Sequence, residues 1–264
     1  MSTANTLCGH SRVCLLGGLA TSDDIWKPLL NALPSDVEVL HLRMSDAQKA
    51  LQDQQPLHIS SIAKFFAEKL VSSPPAATHL IGFSLGSWIA QGVCLELPHS
   101  PRTLTLIGSS AHIYSHGISV VGEWIQAFDQ IGFDAAVTGI YNWMFGSDMY
   151  EQIPKLKTYF KQSVKLSGVT PMLLKQQLEM AAAFVDGFDL SKIATPTLVM
   201  RGDSDILFPL HASKKLVRQI GGAKLVEVPK SGHAALIENS GFCVKAISEF
   251  IRENSLAANG SDRD

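Results

Sequence analysis

Apolar positions along the chain follow two rhythms. Short, nearly continuous apolar runs occupy residues 12–16, 37–42, 78–83, 103–107, 197–200 and 224–228. Each has the length of a strand, and residues 12–16 read as a short buried one. Between them the apolar residues recur at helical spacing. Ser22-Asp23-Asp24 offers a cap and first-turn acids to a helix through Trp26 and Leu30. Residues 60–71 place Ile62, Phe65, Phe66 and Leu70 on one face and are stopped by Pro74-Pro75. Further helices are predicted over 85–97, 211–220 and 241–252. Strands alternating with helices predict an α/β fold, a mostly parallel sheet with helices on both faces. The alternation is broken once. Residues 111–190, with Trp124, Phe128, Trp143, Phe145, Tyr159 and Phe184, show helical spacing and few β-branched runs. A helical insertion between two strands predicts a lid over the carboxyl edge of the sheet, where open α/β sheets bind ligands. The predicted organisation is therefore a core of residues 11–110 and 191–254, a helical lid of 111–190, and loose termini at 1–10 and 255–264.

Composition narrows the class. Of 264 residues, 46% are apolar and 17% charged, enough to bury a large core and too apolar for disorder. Lys and Arg number 22 against 24 Asp and Glu. That balance argues against a nucleic-acid partner, which would require a basic excess. No apolar run reaches the ~18 residues of a membrane span. Arg12 and the apolar run after it have the outline of a short signal peptide. The same residues read better as a buried strand, so the expected location is cytoplasmic. Cys8, Cys14, Cys94 and Cys243 match neither a zinc-ligand nor a paired redox spacing and read as free thiols. No metal and no cofactor is expected.

Chemistry concentrates in three loops, each after a predicted strand. Gly82-Phe83-Ser84-Leu85-Gly86 follows one strand and opens a helix. In that context the pattern predicts a nucleophile elbow, a sharp turn that projects the serine hydroxyl outward. The glycines let strand and helix pass closely. A serine needs a base. Among 9 histidines, His233 in Lys230-Ser231-Gly232-His233-Ala234 sits after the last strand, at the same sheet edge as Ser84. The other histidines read as surface or core residues, except that His112 and His116 begin the lid and are candidates to line the pocket. The base needs an acid to fix its tautomer. Arg201-Gly202-Asp203-Ser204-Asp205 offers two, and Asp205 is favoured over Asp203 because it leads into apolar Ile206-Leu207-Phe208. The loop Gly108-Ser109-Ser110 carries no competing acid. Backbone amides of Leu85, after the serine, and Leu19, after Gly17-Gly18, are the candidate oxyanion donors. Phe83, Trp143, Phe145, Leu207 and Phe208 are the candidate substrate-binding residues, with Met144, Met180 and Phe184 beside them.

On these motifs the chain resembles the α/β-hydrolase superfamily over residues 12–252. The resemblance implies a Ser84–Asp205–His233 triad and a Leu19/Leu85 oxyanion hole. The lid and the stretch from Asp189 to Leu198 are most similar to enol-lactonases and small carboxylesterases. Three features depart from the family. Gly17-Gly18 stands where histidine-glycine is usual. His41-Leu42-Arg43-Met44-Ser45-Asp46 replaces an Asp-x-Arg-Gly-x-Gly loop. Many members begin with an extra hairpin, whereas about 11 residues precede the first predicted strand here. The implied activity is a metal-independent serine hydrolase cleaving an ester, lactone or thioester of a small, largely apolar substrate. The alternatives are a lyase or carbon–carbon-bond hydrolase using the same groups, and a slow-turnover ligand-binding protein. Oligomeric state is left open.

Overall fold

The computed structural model describes residues 11–74 and 76–260, with side chains to Ser255. The expected loose segments 1–10 and 261–264 lie outside the described residues. Six strands form one sheet in the order β2-β1-β3-β4-β5-β6: β1 (Ser11–Leu16), β2 (Glu38–His41), β3 (Ala77–Phe83), β4 (Thr103–Ile107), β5 (Thr197–Gly202) and β6 (Lys224–Val228). All neighbouring pairs are parallel. From β1 the chain moves outward to β2, then returns to the other side of β1 as β3. Loops leaving β1 and β3 therefore diverge, and the crevice between them is the switch point where such sheets take ligands.

Alternation along the strands sorts the core into two layers. Val13, Leu15, Ile81, Phe83, Leu198 and Met200 face one side, with Trp26 and Leu29 of α1 (Lys27–Leu30) and its approach, and Cys243, Ile247 and Phe250 of α12 (Ser240–Gly260). Cys14, Leu16, Leu80, Leu104, Leu106 and Val199 face the other. There they meet α3 (Ile59–Val71), α4 (Leu85–Glu96) and α10 (Leu210–Gln219). Cys14, Cys94 and Cys243 are free and buried, and burial pushes the Cys14 and Cys243 thiols up to about 12.

Between β4 and β5 lie five helices: α5 (Ser115–Gln130), α6 (Phe133–Tyr141), α7 (Ser147–Gln152), α8 (Leu156–Leu166) and α9 (Pro171–Ala183). They occupy the segment expected to form the lid. Among the described residues no helix is long and apolar enough to cross a membrane.

Several elements differ from the sequence expectation. Residues after β2 form a short helix, α2 (Met44–Ala50), and a one-turn helix, α11 (Ala235–Glu238), follows the histidine loop. The last helix continues to Gly260 rather than ending near 252. Ser22 does not cap its helix. Its hydroxyl pairs with Ser163 of the lid at 3.0 Å, and Asp23 accepts from Arg43 Nε at 2.7 Å.

Candidate active site

Ser84 occupies the turn between β3 and α4 with φ 54° and ψ −124°. For a residue with a side chain this is strained backbone, costing of order 1–3 kcal/mol, and it persists only where surroundings over-determine it. They do so here. The Ser84 amide donates to Ile107 O at 2.9 Å. A Cβ on Gly82 would lie 2.6 Å from Gly86 O, and one on Gly86 would lie 2.3 Å from Leu16 O. Only glycine lets the elbow close against β1.

Behind the elbow sits a buried polar layer. The Ser87 hydroxyl donates to the Ser84 carbonyl at 2.5 Å and pairs with Ser109 Oγ at 2.6 Å. Gln91 Nε2 donates to Ser109 Oγ and Ser110 O, and Trp88 Nε1 donates to Ser110 O. The acid-free loop after β4 thus braces the elbow.

The three loops converge. His233 Nε2 lies 2.9 Å from Ser84 Oγ, and His233 Nδ1 lies 3.0 Å from Asp205 Oδ2. An ionised Asp205 only accepts, so Nδ1 carries the proton and Nε2 accepts from the serine. Asp205 is 3% exposed and His233 1%. The second Asp205 oxygen accepts from Leu207 N and Phe208 N, both at 2.9 Å, which fixes the carboxylate plane. The His233 ring lies between Phe83 and Phe208, each centroid 5.3 Å away. Gly108, at φ 55°, makes room for it. A Cβ there would stand 2.8 Å from His233 Cε1.

Asp203 does other work. Its carboxylate accepts from Lys230 N at 2.9 Å and Ser231 N at 3.1 Å. Partial desolvation pushes its pKa up, but these amides and the Ser204 hydroxyl outweigh that and hold it below the ordinary carboxylate value. It ties the end of β5 to the histidine loop. Arg201 was not anticipated. Its buried guanidinium pairs with Glu227 at 2.7 Å and reaches the carbonyls of Asp205 and Phe208 at 3.2 and 3.4 Å. It holds the acid-bearing loop from beneath.

Leu19 and Leu85 both border a cavity of about 40 Å³ that opens on Ser84. Beside Leu19, Ala20 stands at φ 50° and donates its N–H to Gln177 Oε1 of α9 at 3.0 Å. Of the expected pocket residues, Leu207 and Phe208 line the cavity. Phe83 does not, because strand alternation turns it to the α12 side of the sheet. Phe145 is in a satellite cluster with Leu156, and its ring packs on Tyr141, Tyr150 and Phe160. Trp143 packs against the His116 ring at 5.3 Å, and His112 contacts Lys215 Nζ at 3.1 Å, so none of these three reaches the cavity. Its remaining walls are Trp88, Ile113, Gly117, Val121, Trp124 and Ala181. Gly117, Val121 and Trp124 recur at i, i+4 and i+7, a stripe that periodicity alone marks as one helix face. A separate, more polar cleft of about 320 Å³ lies across the 17–20 loop, bordered by Asp23, Arg43, Ser45 and Gln177. Among the described residues no group of three or more His, Cys, Asp or Glu side chains is placed to hold a metal ion.

Comparison with known proteins bears on family and fold. The profile of the Alpha/beta hydrolase family matches residues 14–246. Pyrrolizixenacetamide deacetylase of Xenorhabdus hominickii is 25% identical over 238 residues, covering 88% of this chain and 86% of the relative. Poly(3-hydroxyalkanoate) depolymerase of Ectopseudomonas oleovorans is 24% identical over 249 residues, covering 92% and 85%. The enol-lactonase from Burkholderia xenovorans LB400 superimposes with a TM-score of 0.75 at 17% identity, covering 92% and 91% of the two chains.

Proposed function

Since the chain belongs to the α/β-hydrolase family, we propose that it is a serine hydrolase that cleaves an ester, lactone or thioester bearing a short, apolar acyl group. The observation that carries this reading is the unbroken chain from Ser84 Oγ through His233 to Asp205, at 2.9 and 3.0 Å. His233 Nε2 takes the serine proton as Oγ attacks the carbonyl carbon. The amides of Leu19 and Leu85 receive the developing oxyanion. His233 then protonates the leaving group, activates a water, and returns the proton to Ser84 as the acyl-enzyme hydrolyses. Asp205 keeps the imidazole in one tautomer and stabilises its cationic form.

Cavity size supports the acyl class. A water needs about 10–15 Å³, so about 40 Å³ accommodates only a few heavy atoms. Its walls are almost wholly apolar, so a charged acyl tail would lose hydration without compensation. The name of the deacetylase relative accords with a small acyl group.

The test combines labelling with a substrate series. A fluorophosphonate probe labels the wild type at Ser84, and Ser84→Ala loses roughly a million-fold in kcat by analogy with other triad enzymes. p-Nitrophenyl acetate and butyrate are hydrolysed in preference to the octanoate. Retained turnover in Ser84→Ala with native circular dichroism overturns the nucleophile. Equal rates along the series overturn the short-acyl assignment alone.

A further inference from the structure

The histidine loop is held from a side that the catalytic steps above do not use. Gly232, the residue before His233, donates its N–H to Glu238 Oε1 at 2.9 Å. Gly146, in the link between α6 and α7, donates its N–H to Glu238 Oε2 at 2.7 Å. One carboxylate from α11 therefore joins the lid to the backbone beside His233. Next to it, Ala234 N–H donates to Met144 O at 2.7 Å. The two segments touch with no space between them. A Cβ on Gly232 would lie 2.4 Å from Gly146 N, and one on Gly202 would lie 2.0 Å from Gly232 O. Gly232 is thus clamped between the lid and the end of β5.

Holding a carboxylate here has an energetic cost. Burial pushes the Glu238 pKa up, the two amides pull it down, Asp205 raises it and His233 lowers it. Burial, and to a lesser degree Tyr141 and the charge of Glu238, raise the Tyr150 pKa in α7. A partly desolvated acid that spends each oxygen on a different chain segment is an expensive choice if it serves only to terminate a one-turn helix.

We propose that Glu238 is a positioning residue: its carboxylate latches the lid to the histidine loop, holding His233 Nε2 toward Ser84. The proposal rests on the triad reading above. Loss of the latch leaves Asp205 in place but lets the loop swing with the lid, and small misplacements of a reacting group cost up to about 100-fold.

The experiment is steady-state kinetics of Glu238→Gln and Glu238→Asp with p-nitrophenyl acetate, with Ser84→Ala in parallel. Glu238→Gln keeps the shape but turns one acceptor into a donor facing an N–H. It is expected to lower kcat by roughly 10- to 100-fold with a smaller change in KM. Glu238→Asp keeps the carboxylate and is expected to recover part of kcat. A drop in Tm with kcat and KM unchanged overturns the proposal. If Glu238→Gln does not fold, hydrogen exchange on the wild type decides. Joint protection of the Gly146 and Gly232 amides is expected, and fast exchange at either one, while α12 stays protected, overturns the latch. Activity retained in Ser84→Ala removes the triad reading and the latch together. Activity lost in Ser84→Ala but unchanged in Glu238→Gln removes the latch alone.

Discussion

At the scale of single residues, the acid loop separates two carboxylates two positions apart. Asp205 touches the imidazole, whereas Asp203 holds the loop on which the imidazole rides. Asp205→Asn is expected to lower kcat by about 10⁴, because an amide can donate to Nδ1 and so favour the wrong tautomer. Asp203→Asn leaves the tautomer intact and loses one of two backbone partners, so it lowers Tm more than it lowers turnover. Kinetics and thermal melts of both variants check this, and the larger kinetic loss at position 203 reverses the assignment. The convergence of Ser84, His233 and Asp205 was legible because each follows a strand and the motif around Ser84 demands glycine at fixed offsets. Arg201 and Glu238 were not. Both act on backbone carbonyls or amides, and no spacing pattern in the sequence reports which backbone groups a side chain meets.

At the scale of elements, β3 and β4 carry a buried pair with a pH consequence. His79 is fully buried, and its Nδ1 lies 2.9 Å from Thr103 Oγ1 while Nε2 has no partner. Burial, helped by the charge of Arg102, lowers its pKa from 6.5 to about 4. The unfolded chain takes up this proton near 6.5 and the folded chain resists it until about 4. Stability from this group is therefore complete above about 6.5 and declines as pH falls toward 4. The ceiling is on the order of 3 kcal/mol at 1.4 kcal/mol per unit. Urea midpoints at neutral and mildly acid pH should diverge in the wild type and converge in His79→Leu, although the variant is less stable overall. An unchanged slope in the variant removes His79 as its origin. The strands were readable because each is a short apolar-rich run bounded by turns, with polar residues interleaved in the edge strands β2 and β6. The short helices α2 and α11 were not, since one or two turns give too few positions for a period to show.

At the scale of the whole molecule, the cavity is built where two bodies meet: the sheet edge supplies Ser84 and Phe208, and α5 and α9 of the lid supply Val121, Trp124 and Ala181. Acyl preference should follow the lid residues while labelling of Ser84 does not. Val121→Ala is expected to extend hydrolysis to longer p-nitrophenyl esters, and Ala181→Val to restrict it to the acetate. Unaltered chain-length profiles in both variants would place acyl selection elsewhere. Only part of this wall was legible. Large apolar residues in the lid are mostly occupied with one another, as Phe145 is with Tyr141 and Phe160, and composition does not distinguish a residue facing its own helix bundle from one facing the sheet. The bond from Ala20 to Gln177 bears on engineering. Gln177 in turn donates to Gln48 of α2, and Gln48 donates to Leu173 O. The lid is thus not a detachable module. A chimera that exchanged 111–190 for helices lacking an acceptor in place of Gln177 would strand the Ala20 amide beside Leu19, and turnover would fall on every substrate at once. The transplantable unit is a seam: residues 17–21, 44–50 and 171–183 have to move together.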